Sequence, residues 1–139
     1  MSLTLKKKFL LPFLILSTFI CYNAQASLKI NEFLAANNST NQDPQNEYDD
    51  WIEIYNSSTD TIDLSGLYLT DDLNDLTQWS IPQGTTIEGG GYLLVWADKN
   101  TTDNPSGLHS NFKLSSGGES IGLVESDGIT LIDSITFGS

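Results

Sequence analysis

Apolar residues along most of this chain come in short runs that alternate with polar ones. Ile52 and Ile54 fall on one side of an extended segment, and Glu53 and Tyr55 fall on the other. Leu93 and Val95 oppose Tyr92, Leu94 and Trp96, the pattern of a strand covered on both faces. Segments rich in Ile, Leu, Val, Thr, Tyr and Trp, bounded by Asn, Asp, Ser and Gly, predict eight strands. They cover 28–35, 51–56, 66–70, 77–81, 92–97, 111–114, 120–125 and 130–137. Beyond residue 26, no window of eleven or more residues repeats apolar positions at helical spacing. Eight strands about ten residues apart indicate an all-β sandwich or barrel.

The punctuation between strands has a mechanism. Asp127-Gly128 sits between two apolar runs and suits a tight hairpin that needs positive φ. Gly89-Gly90-Gly91 marks a strand entry where side chains would obstruct the backbone, and Gly117-Gly118 does the same before Ser120. Pro82 stops the strand that contains Trp79. From Asn37 to Asp50 no apolar residue occurs before Tyr48, apart from Pro44, so this stretch is expected to be a mobile loop. Asp133 disturbs the last strand: counted by two, it shares a face with Ile129, Leu131, Ile135 and Phe137. A buried, unpaired carboxylate is expensive. The sequence therefore predicts either a bulge at Leu131-Ile132 or backbone hydrogen bonds to Asp133 from a neighbouring loop.

The N-terminus breaks the pattern. Lys6, Lys7 and Lys8 precede an apolar stretch from Phe9 to Ile20, followed by the small-residue site Ala24-Gln25-Ala26. Together these predict a secretory signal peptide over residues 1–26, cut after Ala26, with the domain over 27–139. The apolar stretch falls short of the ~20 residues a membrane span requires, so no transmembrane segment is expected after cleavage. Cys21 suggests lipidation, but the bulky Ile20 before it argues against that route. Cleavage removes the only cysteine, and with it any disulfide or thiolate chemistry. The 113 residues from Ser27 onward suffice for a core that buries roughly two-thirds of the unfolded surface.

Charge then narrows the partners. The full chain carries six lysines, no arginine and eighteen acids, for a net charge of −12. Cleavage leaves three lysines against the eighteen acids, a charge of −15. Such a surface excludes nucleic acid and disfavours anionic membranes, because both are bound through basic side chains.

Several motifs stand in register: Ile30-Asn31-Glu32-Phe33, Asp50-Trp51-Ile52-Glu53-Ile54-Tyr55-Asn56, Ile62-Asp63-Leu64-Ser65-Gly66-Leu67-Tyr68-Leu69 and Gly90-Gly91-Tyr92-Leu93-Leu94-Val95. Asn111-Phe112-Lys113-Leu114, Gly118-Glu119-Ser120-Ile121-Gly122-Leu123 and Asp133-Ser134-Ile135-Thr136-Phe137-Gly138 complete the series. In this order they resemble the lamin-tail domain family, in particular its bacterial exported members. The resemblance implies an immunoglobulin-like β-sandwich and supplies no catalytic residues. Trp51, Ile52, Ile54, Leu64, Leu67, Leu69, Phe112 and Leu114 read as core. Family members commonly continue beyond the last strand seen here and form one module of a longer protein. The chain is accordingly expected to be an N-terminal piece, truncated at its C-terminus, beside other domains of a longer parent.

The acidic loops are the candidates for chemistry. Asp43, Glu47, Asp49 and Asp50 form one group, Asp71, Asp72 and Asp75 a second, and Asp98, Asn100, Asp103 and Asn104 a third. Calcium takes six to eight oxygen ligands, which Asp-rich loops at the end of a sandwich can supply. None of these runs has the EF-hand spacing. If calcium binds, Asp71, Asp72 and Asp75 are the first choice, with three carboxylates in five residues; the competing reading is a solvated acidic surface. Exposed carboxylates without a groove do not make a glycosidase. His109 is the only histidine and reads as a partly exposed strand-edge residue; it permits no multi-histidine zinc site. No Gly-x-Ser-x-Gly turn or phosphate-binding glycine motif occurs. Asn38, Asn56 and Asn100 begin glycosylation-type triplets that read as polar turns. The expected function is a non-catalytic structural or binding module, not an enzyme, of a secreted or cell-surface protein. Its partner is a protein or a cell-surface glycan, and Trp79 and Tyr48 are the candidate exposed aromatics. The alternative is an accessory domain of a larger exported hydrolase whose catalytic domain lies beyond Ser139.

Overall fold

A computed structural model describes residues 27–100 and 106–138. The proposed signal peptide, Asp103 and Asn104 lie outside the described residues. Among the described residues there are nine strands: β1 (Leu28–Leu34), β2 (Asp50–Asn56), β3 (Ile62–Asp63), β4 (Tyr68–Thr70), β5 (Trp79–Ser80), β6 (Thr86–Ile87), β7 (Tyr92–Ala97), β8 (Gly118–Val124) and β9 (Leu131–Gly138). One sheet has the order β1-β2-β7, the other β5-β4-β8-β9, and β3 pairs with β6 as a short ribbon. Every strand pair is antiparallel. Ile52, Ile54 and Val95 from the first sheet and Leu69, Ile121 and Leu123 from the second share one buried core. The fold is an all-β sandwich, as the strand periodicity predicts.

Seven of the expected strands form where the alternation places them. The exception is 111–114, where only an isolated antiparallel bridge, Asp98 to Lys113, appears. Phe112 and Leu114 are still buried. The free edge of β7 is served by the segment just before 111–114: the Trp96 amide donates to the Leu108 carbonyl, and the Ser110 amide donates to the Trp96 carbonyl. Lys99, at φ 62°, then turns the chain so that its amide reaches the Phe112 carbonyl. β3 and β6 escape sequence reading because two residues carry no periodicity. β7 is covered on both faces only in its second half, where Val95, Trp96 and Ala97 are buried, whereas Tyr92 is 58% exposed.

The last strand resolves the Asp133 problem by both expected devices. Asp133 pairs with Leu123 and Leu131 with Val124, so Ile132 is an extra residue in β9, and it packs against the core. The Asp133 carboxylate accepts the Ile30 amide at 2.9 Å, and the Ser134 amide as well. The donor is strand β1 of the opposite sheet, not a loop. A β1 bulge at Asn31 falls beside that amide. Phe33 and Phe137, with ring centroids 4.5 Å apart, continue the seam. One edge of the sandwich is thereby closed by a carboxylate and an aromatic pair.

The turns behave as their residues dictate. Gly128 has φ 69°, and the Asp127 carboxylate accepts the amides of Ile129 and Thr130 and the Thr130 hydroxyl. A side chain on Gly89 would stand 2.2 Å from the Thr59 carbonyl oxygen, a clash with backbone that only glycine avoids. Asn56 is wholly buried at the end of β2, which removes it as a glycan acceptor. Its Nδ2 reaches the carbonyls of Asp60, Ile87 and Glu88, and its Oδ1 accepts the Ser58 amide and hydroxyl.

Replacing Asn56 by Ala strands these carbonyls in the interior and is expected to cost about 3 kcal/mol, read by urea unfolding; a loss below about 0.5 kcal/mol contradicts the role assigned to it. The hydrogen bonds from Thr130 and Ile129 hold the Asp127 carboxyl below its ordinary value of 3.8. A depressed folded pKa stabilises above the unfolded value and is lost as pH falls through the folded one. The stability gap between the native protein and Asp127→Ala is therefore expected to be constant near neutrality and to shrink only in acid below pH 3.8.

Candidate functional site

The 37–50 loop, expected to be mobile, is tied down along its length. Asn37, 7% exposed, donates its Nδ2 to the Asn41 and Asp49 carbonyls and accepts the Ser39 and Thr40 amides. Its own amide goes to the Asp50 carboxylate. Asp43, 4% exposed, uses Oδ1 to accept the amides of Gln45 and Glu47 at 2.9 and 2.8 Å. An Asn or Asp side chain can satisfy backbone donors that no strand partner reaches, so a stretch without apolar residues still acquires a buried centre.

The register of β2 on β7, with Asp50 opposite Ala97, carries this loop to Asp98 and His109. Two groups of ligand atoms result, each with its members within 4.8 Å: Asp43, Glu47 and Asp49, and Asp43, Asp98 and His109. Asp43 belongs to both. The Oδ2 atoms of Asp43 and of Asp49 are buried and have no hydrogen-bond partner among the described residues. Burial, followed by the charge of Asp98, pushes the Asp49 carboxyl above its ordinary range; Lys113 opposes the rise, and Asp43 and Glu47 add to it.

His109 is not a strand-edge residue of partial exposure: it is 6% exposed, roofed by the 106–110 segment on β7. Its Nδ1 lies 2.7 Å from Asp98 Oδ2 and its Nε2 lies 2.9 Å from the Ser106 carbonyl. A carboxylate and a carbonyl both accept, so this setting favours protons on both ring nitrogens, the imidazolium form. Burial works against that charge, but the Ser106 and Asp98 bonds outweigh it and raise the pKa above 6.5. His109 is thus a resident cation of the acidic cluster. An imidazolium with both N–H groups engaged is neither a base nor a metal ligand.

The second acidic group is arranged differently. Asp72 Oδ1 accepts the Asn74 amide and side chain, and Asp75 Oδ1 accepts the Thr77 amide. The Thr70 hydroxyl, wholly buried, donates within a knot that includes the Asp72 and Asp75 carbonyls. Asp71, Asp72 and Asp75 do not gather as a potential ligand set among the described residues. Of the candidate aromatics, Tyr48 is 46% exposed, whereas Trp79 packs against the core. The grouping by loop missed the union of Asp43 with Asp98: 55 residues apart in sequence, they meet only through strand pairing.

A folded-state pKa raised above the unfolded value stabilises fully below about pH 6.5 and is lost as pH rises through the folded pKa. The thermal midpoint advantage of the native protein over His109→Ala is therefore expected to be largest in mild acid and to narrow at alkaline pH. In NMR titration the His109 ring should change protonation above pH 6.5; a value below that contradicts the two-acceptor geometry.

Among the described residues, no helix is long and apolar enough to cross a membrane. No curated protein matches the chain. The family model of the Lamin Tail Domain matches residues 22–139, which takes in every strand of the sandwich and the acidic loops between them. With the antiparallel two-sheet architecture, this match shows an immunoglobulin-like fold, and the chain belongs to the lamin tail domain family.

Proposed function

We propose that this chain is a non-catalytic binding module of an exported or cell-surface protein, acting through contact with another protein. The observation that carries this reading is the outer strand β9. Five large apolar side chains are notably exposed among the described residues, and three of them, Ile129 (76%), Leu131 (42%) and Ile135 (38%), lie on β9 or the turn before it. β9 ends the order β5-β4-β8-β9; Asp133 and Phe137 close its edge against β1, so what it offers a partner is these exposed side chains and not an open backbone edge. The bulge at Ile132 turns Leu131 to the outer face, where its side chain lies over Gly122. Export is supported by the basic cluster Lys6 to Lys8, the apolar run to Ile20 and the Ala24-Gln25-Ala26 site. A second reading, contact with a surface glycan, is favoured by one feature: Tyr92 is 58% exposed and stacks on Tyr55 with centroids 4.7 Å apart, a flat platform suited to a sugar face.

The test follows the protein in the cell that makes it. Retention at the cell surface is expected for the native protein and is expected to fall at least about fivefold in Ile129→Lys/Leu131→Lys, with the thermal midpoint unchanged because both side chains are exposed. Loss of retention in Tyr92→Ala alone supports the glycan reading. Retention unaffected by either change, or a hydrolytic activity of this domain, overturns the proposal.

A further inference from the structure

The acidic group on the 37–50 loop contains more buried negative charge than its own hydrogen bonds absorb. Asp43, Glu47 and Asp49 bring carboxylate oxygens within 4.8 Å of one another. Asp43 is 4% exposed, and its Oδ2, unlike its Oδ1, has no partner; Oδ2 of Asp49 is in the same condition. A buried carboxylate oxygen without a donor costs free energy unless a cation or a proton meets it. Two cations face four carboxylates here: His109, hydrogen-bonded to Asp98 and Ser106, also lies beside Asp43, and Lys113 is a single positive charge near Asp49, so part of the charge of Asp43, Glu47, Asp49 and Asp98 stays unmatched.

We propose that Asp43, Glu47 and Asp49 bind one calcium ion, which ties the 37–50 loop to the end of the β2–β7 pair. Three carboxylates offer up to six oxygens, and Asp43 Oδ1 is already held by two amides, so water would complete the six to eight ligands that calcium takes. Oxygen-only donors select a hard cation. A softer metal would require His109, and that would break a ring hydrogen bond to Asp98 or to Ser106. The loop is also better suited to calcium than to magnesium. Glu47 is exposed and free to adjust, whereas magnesium demands near-ideal octahedral geometry. The site differs from the one expected on Asp71, Asp72 and Asp75, where Asp72 and Asp75 hold the Asn74 and Thr77 amides.

The test is calorimetric titration of the chelator-treated protein with calcium chloride, with thermal unfolding in parallel. One equivalent is expected to bind with a Kd of order 10⁻⁴–10⁻³ M, as in extracellular modules, and to raise the midpoint by more than about 5 °C at saturation. Glu47→Gln and Asp49→Asn are each expected to weaken binding at least about tenfold without lowering the calcium-free midpoint. Asp43→Asn is less informative, because Asp43 also holds the turn at Gln45 and Glu47. The triple change Asp71→Asn, Asp72→Asn, Asp75→Asn is expected to leave binding intact. Absence of binding at about 10 mM calcium overturns the proposal and points to protonation as what satisfies the oxygens. So does binding that survives both single variants, or that the triple variant abolishes. Zinc or manganese binding that requires His109, without calcium binding, overturns it in favour of the mixed-ligand set.

Discussion

The amide of Asn56 sits at zero exposure with its nitrogen among three carbonyls and its oxygen holding Ser58. It shows the constraint on which the rest of the structure depends. The strands are short, from two to eight residues, and much of the backbone between them runs close to the core. Backbone groups buried there must find partners, and the ladders cannot reach them. Polar side chains take over: Asn56 at the end of β2, Asn37 and Asp43 in the long loop, Thr70 at the end of β4, and Asp133 across the sheet seam. A small domain without a disulfide is held by its apolar core together with these side-chain-to-backbone bonds.

The same device explains where the acidity goes. Many of the carboxylates are turn residues that accept amides two or three positions on, as at Asp63, Asp72, Asp98 and Asp127. At Asp63 and Asp127 these bonds hold the carboxyl below its ordinary value. At one end of the β2–β7 pair, two acidic loops converge and the charge becomes too dense for turns alone. There the protein places its only histidine, fully bonded and protonated, against Asp98. Negative charge is thus concentrated where the 37–50 loop meets the end of the β2–β7 pair.

Much of the sandwich was legible in the order of residues. Ile52 and Ile54, Leu64, Leu67 and Leu69, and Phe112 and Leu114 are buried as their spacing predicts. The Asp127-Gly128 hairpin and the crowded Gly89 entry follow from residue type alone. The misses share one cause. Residues 111–114 have strand-like alternation but meet only Asp98 and Lys99, just past β7, and β3 and β6 are too short to show a period. Asn56 and Asn37 look like ordinary polar turn residues, because nothing in a linear pattern tells a buried amide from an exposed one. His109 was misplaced for the same reason: its cover is the 106–110 segment folding back on Trp96.

By itself, the sequence determined the strands, their apolar faces, the tight turns and the excess of negative charge. These depend on period two, on backbone conformation and on composition, which are local properties. Tertiary structure alone decided which carboxylates meet. Asp71, Asp72 and Asp75 are close in sequence yet form no ligand set among the described residues, whereas Asp43 and Asp98 come together through the β2–β7 register. Tertiary structure also decided that Asp133 would cross to Ile30 and that His109 would be buried between two acceptors. The physical reason is that charge density and burial are functions of distance in space, and pairing long-range strands sets those distances without leaving a local mark in the chain.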